Sequence, residues 1–191
     1  MKQKSSIFCL VSALAFAELA ACSRPAPKLP DYGKVPNFQM TDSLGDPFNS
    51  QSLAGKVWVA DFIYTSCPGA CPRMTSEMHK ISQHLKRQKN VRLVSISVDP
   101  AHDSPPVLNA FAHKYGGPTP QWIFLTGTPT TIHLIAYGTF HVGDIIQKMN
   151  HSTKFILVDK SGEIRGYYDS FDPQDMQKML ANAEALRKGR A

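Results

Sequence analysis

Apolar residues fall into two alternating patterns from about residue 36 onward: short saturated runs, and longer stretches with apolar positions three and four apart. Phe38-Gln39-Met40-Thr41 and Pro47-Phe48-Asn49, separated by Leu44-Gly45-Asp46, have the two-residue alternation of a short hairpin. Leu53-Ala54-Gly55-Lys56 leads into an apolar run, Val57 to Ile63, broken only by Asp61, which predicts a buried strand. A helix is expected over about Arg73 to Gln88, its apolar face marked by Met74, Met78, Ile81 and Leu85. A second buried strand, Val91 to Val98, ends at Asp99-Pro100, and Pro106 opens a helix to about Tyr115. The second half repeats the alternation with a strand at Trp122 to Leu125 and a helix from Pro129 to about Tyr137. Phe155 to Val158 and Ile164 to Tyr168, joined by Asp159-Lys160-Ser161-Gly162, form a closing hairpin before a terminal helix opened by Pro173.

Strands alternating with helices predict an α/β domain, a central sheet with helices packed on it and an antiparallel edge from the last hairpin. No internal repeat interrupts it. A cysteine pair directly after the first core strand gives the order of a thioredoxin-like fold with an N-terminal β-hairpin extension.

The chain before the domain has a different character. Lys2 and Lys4, an apolar segment from about Ile7 to Ala17, and small residues at Ala20 and Ala21 read as a secretory signal too short to span a membrane. Leu19-Ala20-Ala21-Cys22 resembles a lipobox, which makes residues 1–21 a lipoprotein signal peptide and Cys22 the lipidation site. The prolines of Ser23 to Pro30 favour an extended tether, placed at 22–35, and the domain is expected over 36–191. These features place the protein on the extracytoplasmic, periplasmic side, held to a membrane by lipid. Its formal charge of +6 is scattered, with the densest cluster at Lys86-Arg87-Gln88-Lys89, so nucleic-acid binding is a poor reading.

Four cysteines reduce to one working pair, because Cys9 lies in the leader and Cys22 is the lipidation site that follows it. Cys67-Pro68-Gly69-Ala70-Cys71-Pro72 sits on the turn between strand and helix, expected to be exposed, with Cys71 near a helix N-terminus that favours thiolate. Such a pair can do redox chemistry, bind a soft metal, or both. Export implies an oxidising compartment, so a partner must keep the thiols reduced if they are used as such.

Four segments narrow the choice. Phe62 to Pro72, Ser97 to Pro105, Trp122 to Gly127 and His151-Ser152-Thr153, in that order, resemble the Sco (SenC) family, copper chaperones for assembly of the CuA centre of cytochrome c oxidase. The resemblance covers about residues 36 to 186 and implies one copper, Cu(I) or Cu(II), held by the thiolates of Cys67 and Cys71 and the imidazole of His151. It also implies as partners the CuA-bearing oxidase subunit and a thiol reductase or copper donor. Two soft sulfurs and one intermediate nitrogen suit both oxidation states of copper. Many family members carry an aspartate directly before the ligand histidine; Asn150 stands there in this chain and adds no negative charge.

A rival reading makes the chain a thiol-disulfide oxidoreductase, Cys67 attacking and Cys71 resolving. The third donor and the wider spacing favour metal. A peroxidase fits less well, because Thr65-Ser66-Cys67 lacks the usual Pro-x-x-x-Thr-x-x-Cys pocket. His79, His84, His102, His113, His133 and His141 have no ligand-like spacing, and Met74 and Met78 are expected in the core. Asp61 is expected to accept a core hydrogen bond, or else to shift the thiols. Asp99 and Asp103 are expected to organise their turn through Asx hydrogen bonds and a helix cap.

Overall fold

A computed structural model describes residues 28–142 and 152–190. Seven strands, β1 (Gln39–Asp42), β2 (Pro47–Asn49), β3 (Val57–Ile63), β4 (Val91–Ser97), β5 (Trp122–Thr126), β6 (Lys154–Val158) and β7 (Ile164–Asp169), form one sheet in the order β2-β1-β5-β4-β3-β6-β7. The helices are α1 (Ala70–Leu85), α2 (Pro105–Lys114), α3 (Pro129–His133) and α4 (Pro173–Arg187). This is the expected thioredoxin-like arrangement, with the β1–β2 hairpin added beyond β5.

β3 and β4 run parallel, as do β4 and β5, while β6 lies antiparallel to β3 with Trp58 opposite Val158 and Ala60 opposite Ile156. Successive side chains of β3 point to opposite faces, and both faces are covered, which is why the run is apolar but for Asp61. Val57, Val59 and Ile63 join Met74, Met78, Leu108, Met179 and Leu186 in one core. Trp58, Ala60 and Phe62 join Phe38, Met40, Ile135 and Phe140 in the other. Met74 and Met78 are fully buried, as the helical spacing predicts.

Three elements differ from expectation. Helix α1 begins at Ala70 rather than Arg73, because Pro72 falls in the first turn, where its missing N–H has no intrahelical partner to lose. The helix expected to run to Tyr137 stays α only to His133 and then widens into a π turn over Leu134–Thr139. The stretch read as tether is packed from Leu29 on: Leu29 is buried, Tyr32 donates its N–H to the Ile164 carbonyl at 3.0 Å, and Val35 donates to Gly162 at 2.9 Å. An apolar side chain and main-chain hydrogen bonds beside β7 hold it there, so among the described residues packing reaches back before residue 36 to Leu29.

Candidate thiol and metal site

β3 delivers the chain to the carboxyl edge of the sheet, where residues 64–69 turn it into α1. The turn is tight: Cys67 donates its N–H to the Tyr64 carbonyl at 3.3 Å. Gly69, the residue before the helix, has no capping side chain. The Cys67 sulfur takes that role instead, accepting the N–H of Cys71 at 3.3 Å. A sulfur receiving the positive end of a helix is favoured as thiolate.

The turn is exposed at Ser66, Pro68 and Gly69, as expected, but the two cysteines it carries are buried, with Cys67 6% and Cys71 2% exposed. Tyr64 belongs to the same core cluster as the two cysteines, and the partly buried Ala70 packs against it. Burial pushes the Cys67 thiol up, but hydrogen bonds from the N–H groups of Cys71 and Gly69, the Cys71 thiol and the Tyr64 phenol outweigh it and leave Cys67 below the ordinary thiol value. Burial pushes Cys71 well up; the Tyr64 N–H opposes this, and the Cys67 sulfur and the Asp61 carboxylate reinforce it. One sulfur is therefore disposed to be anionic and its neighbour to keep its proton.

Asp61 sits on the sheet face that carries the cysteine helix, fully buried, and neither carboxylate oxygen has a hydrogen-bond partner among the described residues. Of the two roles weighed for this residue, the core hydrogen bond is at most a weak one with Ser95, outside ordinary hydrogen-bond geometry, while its carboxylate pushes the Cys71 thiol up. Burial raises the carboxyl to about 7, against the smaller opposing effects of Ser95 and its own backbone.

Asp103 also departs from expectation. Instead of capping α2, whose preceding residue is Ser104, its buried carboxylate accepts Thr65 N–H at 3.0 Å, Thr65 Oγ1 at 2.5 Å and Ser97 Oγ at 2.6 Å. The loop after β4 thereby fixes the residue two positions before Cys67. Asp99 keeps to its own turn, where its carboxylate pairs with His102 Nδ1 at 2.9 Å. Sequence reasoning missed Tyr64 and the Thr65–Asp103 tie. The one available signal for Tyr64 was a hydroxyl-bearing ring at the end of an otherwise apolar run.

On the far side, the Arg73 guanidinium lies 3.9 Å over the Phe171 ring, and Ser170 N–H donates to the Thr153 carbonyl at 2.9 Å. Lys154 Nζ contacts Asp169 at 3.1 Å. Because β6 is antiparallel to β3, its first residue stands at the same sheet edge from which the cysteine turn departs. His151, the third expected donor, lies outside the described residues, as do Asn150 and Cys22. Among the described residues no three His, Cys, Asp or Glu side chains converge as a metal cluster. The donors present, two cysteines tied by the Cys71 N–H to the Cys67 sulfur with that sulfur inclined to thiolate, fit a soft monovalent cation.

A family model described as SCO1/SenC matches residues 28–186. A SCO1/SenC family lipoprotein from Bacillus anthracis is 34% identical over a match covering 80% of this chain and 94% of that one, with a TM-score of 0.72. BsSco, described as a member of the Sco family of cytochrome c oxidase assembly proteins in a structure concerned with a disulfide switch, is 29% identical. That match covers 86% of this chain and 99% of BsSco, with a TM-score of 0.75. Bradyrhizobium japonicum ScoI, solved with copper bound, shares the fold at 24% identity and a TM-score of 0.65, covering 81% of this chain and 99% of its own.

Proposed function

Since this chain belongs to the SCO1/SenC family, we propose that it is an extracytoplasmic, membrane-tethered copper-binding protein that delivers copper to, or prepares, the CuA site of a respiratory cytochrome c oxidase. Cys67, Cys71 and His151 hold the metal. The observation that carries this reading is the unlike pair of buried sulfurs at the sheet edge where β6 begins, three residues after His151.

The chain's own residues prepare the cargo site. The Cys71 and Gly69 N–H groups hold charge on Cys67, so one donor is ready before metal arrives. Cys71 gives up its proton only when a cation replaces it, since burial alone opposes the bare thiolate. Transfer proceeds by ligand exchange: a thiolate of the target joins the copper before Cys67, Cys71 or His151 leaves, and no bare ion enters water. The relatives' names support both halves, oxidase assembly for BsSco and copper for ScoI.

Residues 1–21 act as a lipoprotein signal, and acylated Cys22 anchors the domain on the periplasmic side; the likeness to a lipoprotein supports this assignment. No helix among the described residues is long and apolar enough to cross a membrane.

The test is an anaerobic Cu(I) titration of the reduced chain against a competing chelator, repeated with Cys67→Ser, Cys71→Ser and His151→Ala. Unaltered affinity in both serine variants refutes the ligand assignment. The unlike thiols also favour a second reading, a thiol-disulfide oxidoreductase acting on exported protein cysteines. Cys67 thiolate would attack a target disulfide and Cys71 would resolve the mixed disulfide, leaving target thiols and an oxidised pair that a thiol reductase restores. Turnover of protein disulfides with no copper effect would select it.

A further inference from the structure

We propose that the edge of the sheet opposite the cysteine turn is a membrane-facing surface that binds anionic phospholipid headgroups and turns the Cys67–Cys71 pair away from the bilayer. Basic residues that look scattered along the sequence are gathered there by the fold. β3 and β4 start at this edge, and α1 and α4 end at it, because each helix returns the chain across the sheet. A run of hydrogen bonds joins the two helix ends. The Asn90 carbonyl, just past α1, accepts Val57 N–H at 3.1 Å, and Gly55 donates its N–H to the Lys160 carbonyl at 3.1 Å. Lys160 Nζ then donates to the Arg187 carbonyl, at the end of α4, at 2.7 Å. Along this run Lys86, Arg87, Lys89, Lys160, Lys188 and Arg190 are exposed.

The acids beside this edge do not cancel it. Glu184 is already shared by Arg187 at 2.7 Å and Lys188 at 2.8 Å, Asp159 faces Arg165 at 3.7 Å, and Glu163 stands opposite Lys34 in a main-chain bridge. Lys86, Arg87, Lys89, Lys160 and Arg190 have no ion pair among the described residues. Complementing a helix dipole takes a cation or two in one last turn, whereas these cations come from two helix ends and the β6–β7 turn between them. The cysteine end has the opposite balance, with Asp99, Asp103, Asp169, Asp172 and Asp175 against Arg73 and Lys154. A domain so polarised turns its basic end toward an anionic surface.

The anchor says which surface that is. The inference rests on the reading of Cys22 as the lipidated residue, and packing back to Leu29 shortens the reach of that anchor. Arg165 Nη2 donates to the Leu29 carbonyl at 3.2 Å, beside the β6–β7 turn, and so fixes the chain near the basic end. From Cys22 to Leu29 an extended chain spans at most about 25 Å, against about 50 Å had packing begun at residue 36. A domain held that close rests one face near the bilayer, and lysine and arginine side chains reach headgroup phosphates without a shaped pocket. The cysteine turn then stands a strand length, about 23 Å, farther out, open to a partner from the compartment.

The test uses the full chain, incorporated from detergent into the outer leaflet of preformed vesicles, either of phosphatidylcholine alone or of equal parts phosphatidylcholine and phosphatidylglycerol. Amine labelling with an impermeant reagent, read by mass spectrometry, reports on each lysine. Lys86, Lys89 and Lys188 react about fivefold more slowly on the anionic vesicles, and about 1 M salt, with a screening length of about 3 Å, removes the difference. Lys154, at the cysteine end, reacts equally on both. The triple variant Lys86→Glu, Arg87→Glu, Lys89→Glu, checked by circular dichroism, restores fast labelling of Lys188 on the anionic vesicles although Lys188 itself is unchanged. Equal labelling on the two vesicles, slowing that survives salt, or slowing at Lys154 as great as at Lys86 overturns the inference. Protection of these lysines by free polyglutamate but not by anionic vesicles assigns the face to an acidic protein and overturns it too. Flotation with the phosphatidylcholine vesicles reads the anchor separately: a chain that fails to float there refutes acylated Cys22, while labelling on the anionic vesicles still reads the basic face.

Discussion

The main-chain N–H of Cys71 points at the sulfur of Cys67 from 3.3 Å, so the helix carrying one cysteine supports the charge of the other. The two thiols consequently differ in kind although they are four positions apart.

That difference predicts unequal reactivity. In the reduced chain near neutral pH, Cys67 reacts with iodoacetamide faster than Cys71 by on the order of tenfold, since the thiolate is the nucleophile. Peptide mapping after brief alkylation measures it. Equal labelling, or preferential labelling of Cys71, contradicts the assignment.

Sulfur and nitrogen donors should fail differently. Cys67→Ser and Cys71→Ser both greatly weaken Cu(I) binding, because a neutral hydroxyl is a hard, poor substitute for thiolate. His151→Ala keeps part of the two-thiolate Cu(I) affinity and loses most Cu(II) stabilisation. Copper spectroscopy with circular dichroism as a folding control reads the pattern, and an unchanged nitrogen signal in His151→Ala removes that residue from the ligand set.

Asp61 gives a pH dependence with a definite sign. Its folded-state value, about 7, lies above the unfolded one, so the folded chain binds the extra proton between about pH 4 and pH 7. This contribution to stability is fully present below pH 4 and is lost as pH rises through 7, on the order of 4 kcal/mol in all. Asp61→Asn, which cannot ionise, should match the parent at pH 4 and exceed it in urea unfolding at pH 8. A difference that does not grow with pH would show that the carboxyl titrates normally.

Asp103→Ala removes the acceptor shared by Thr65 and Ser97 and leaves buried donors unpaired, a loss of about 2–4 kcal/mol in denaturant unfolding. Thr65→Val, which removes one of those bonds and keeps the shape, should lose less. The same cost for both, or none for either, would mean that the loop after β4 does not fix the cysteine turn.

Anchoring is tested in the native host. Cys22→Ala should abolish lipid incorporation and membrane partitioning, and an unmodified mature N-terminus by mass spectrometry would refute the lipobox reading.

Much of this architecture was legible because local pattern and tertiary burial agree. The run Val57 to Ile63 is apolar on both faces except at Asp61 and is the strand observed. α2 and β5 differ from the expected bounds by a single residue. What escaped the sequence depended on contacts across the fold. Asp103 reads as a local cap because Ser104 and Pro105 follow it, yet its partner Thr65 lies 38 positions away. Proline and glycine rightly mark the cysteine turn as exposed, yet its two cysteines turn inward and join Tyr64 in the core, which local pattern does not reveal. Leu29 looks like part of a proline-rich linker until β7 offers it a surface. The π turn has no spacing signal distinct from an ordinary helix.

β3 is bonded on both edges, to β4 over seven residue pairs and to β6 over three, and its side chains are buried on both faces. Amides so enclosed open only when the whole sheet does, and edge fraying at β2 or β7 does not reach them. Hydrogen exchange should therefore be slowest directly beneath the cysteine turn. The chemistry stands on the least yielding floor in the molecule, so proton and metal traffic there proceeds by movement of side chains while the main chain below keeps still.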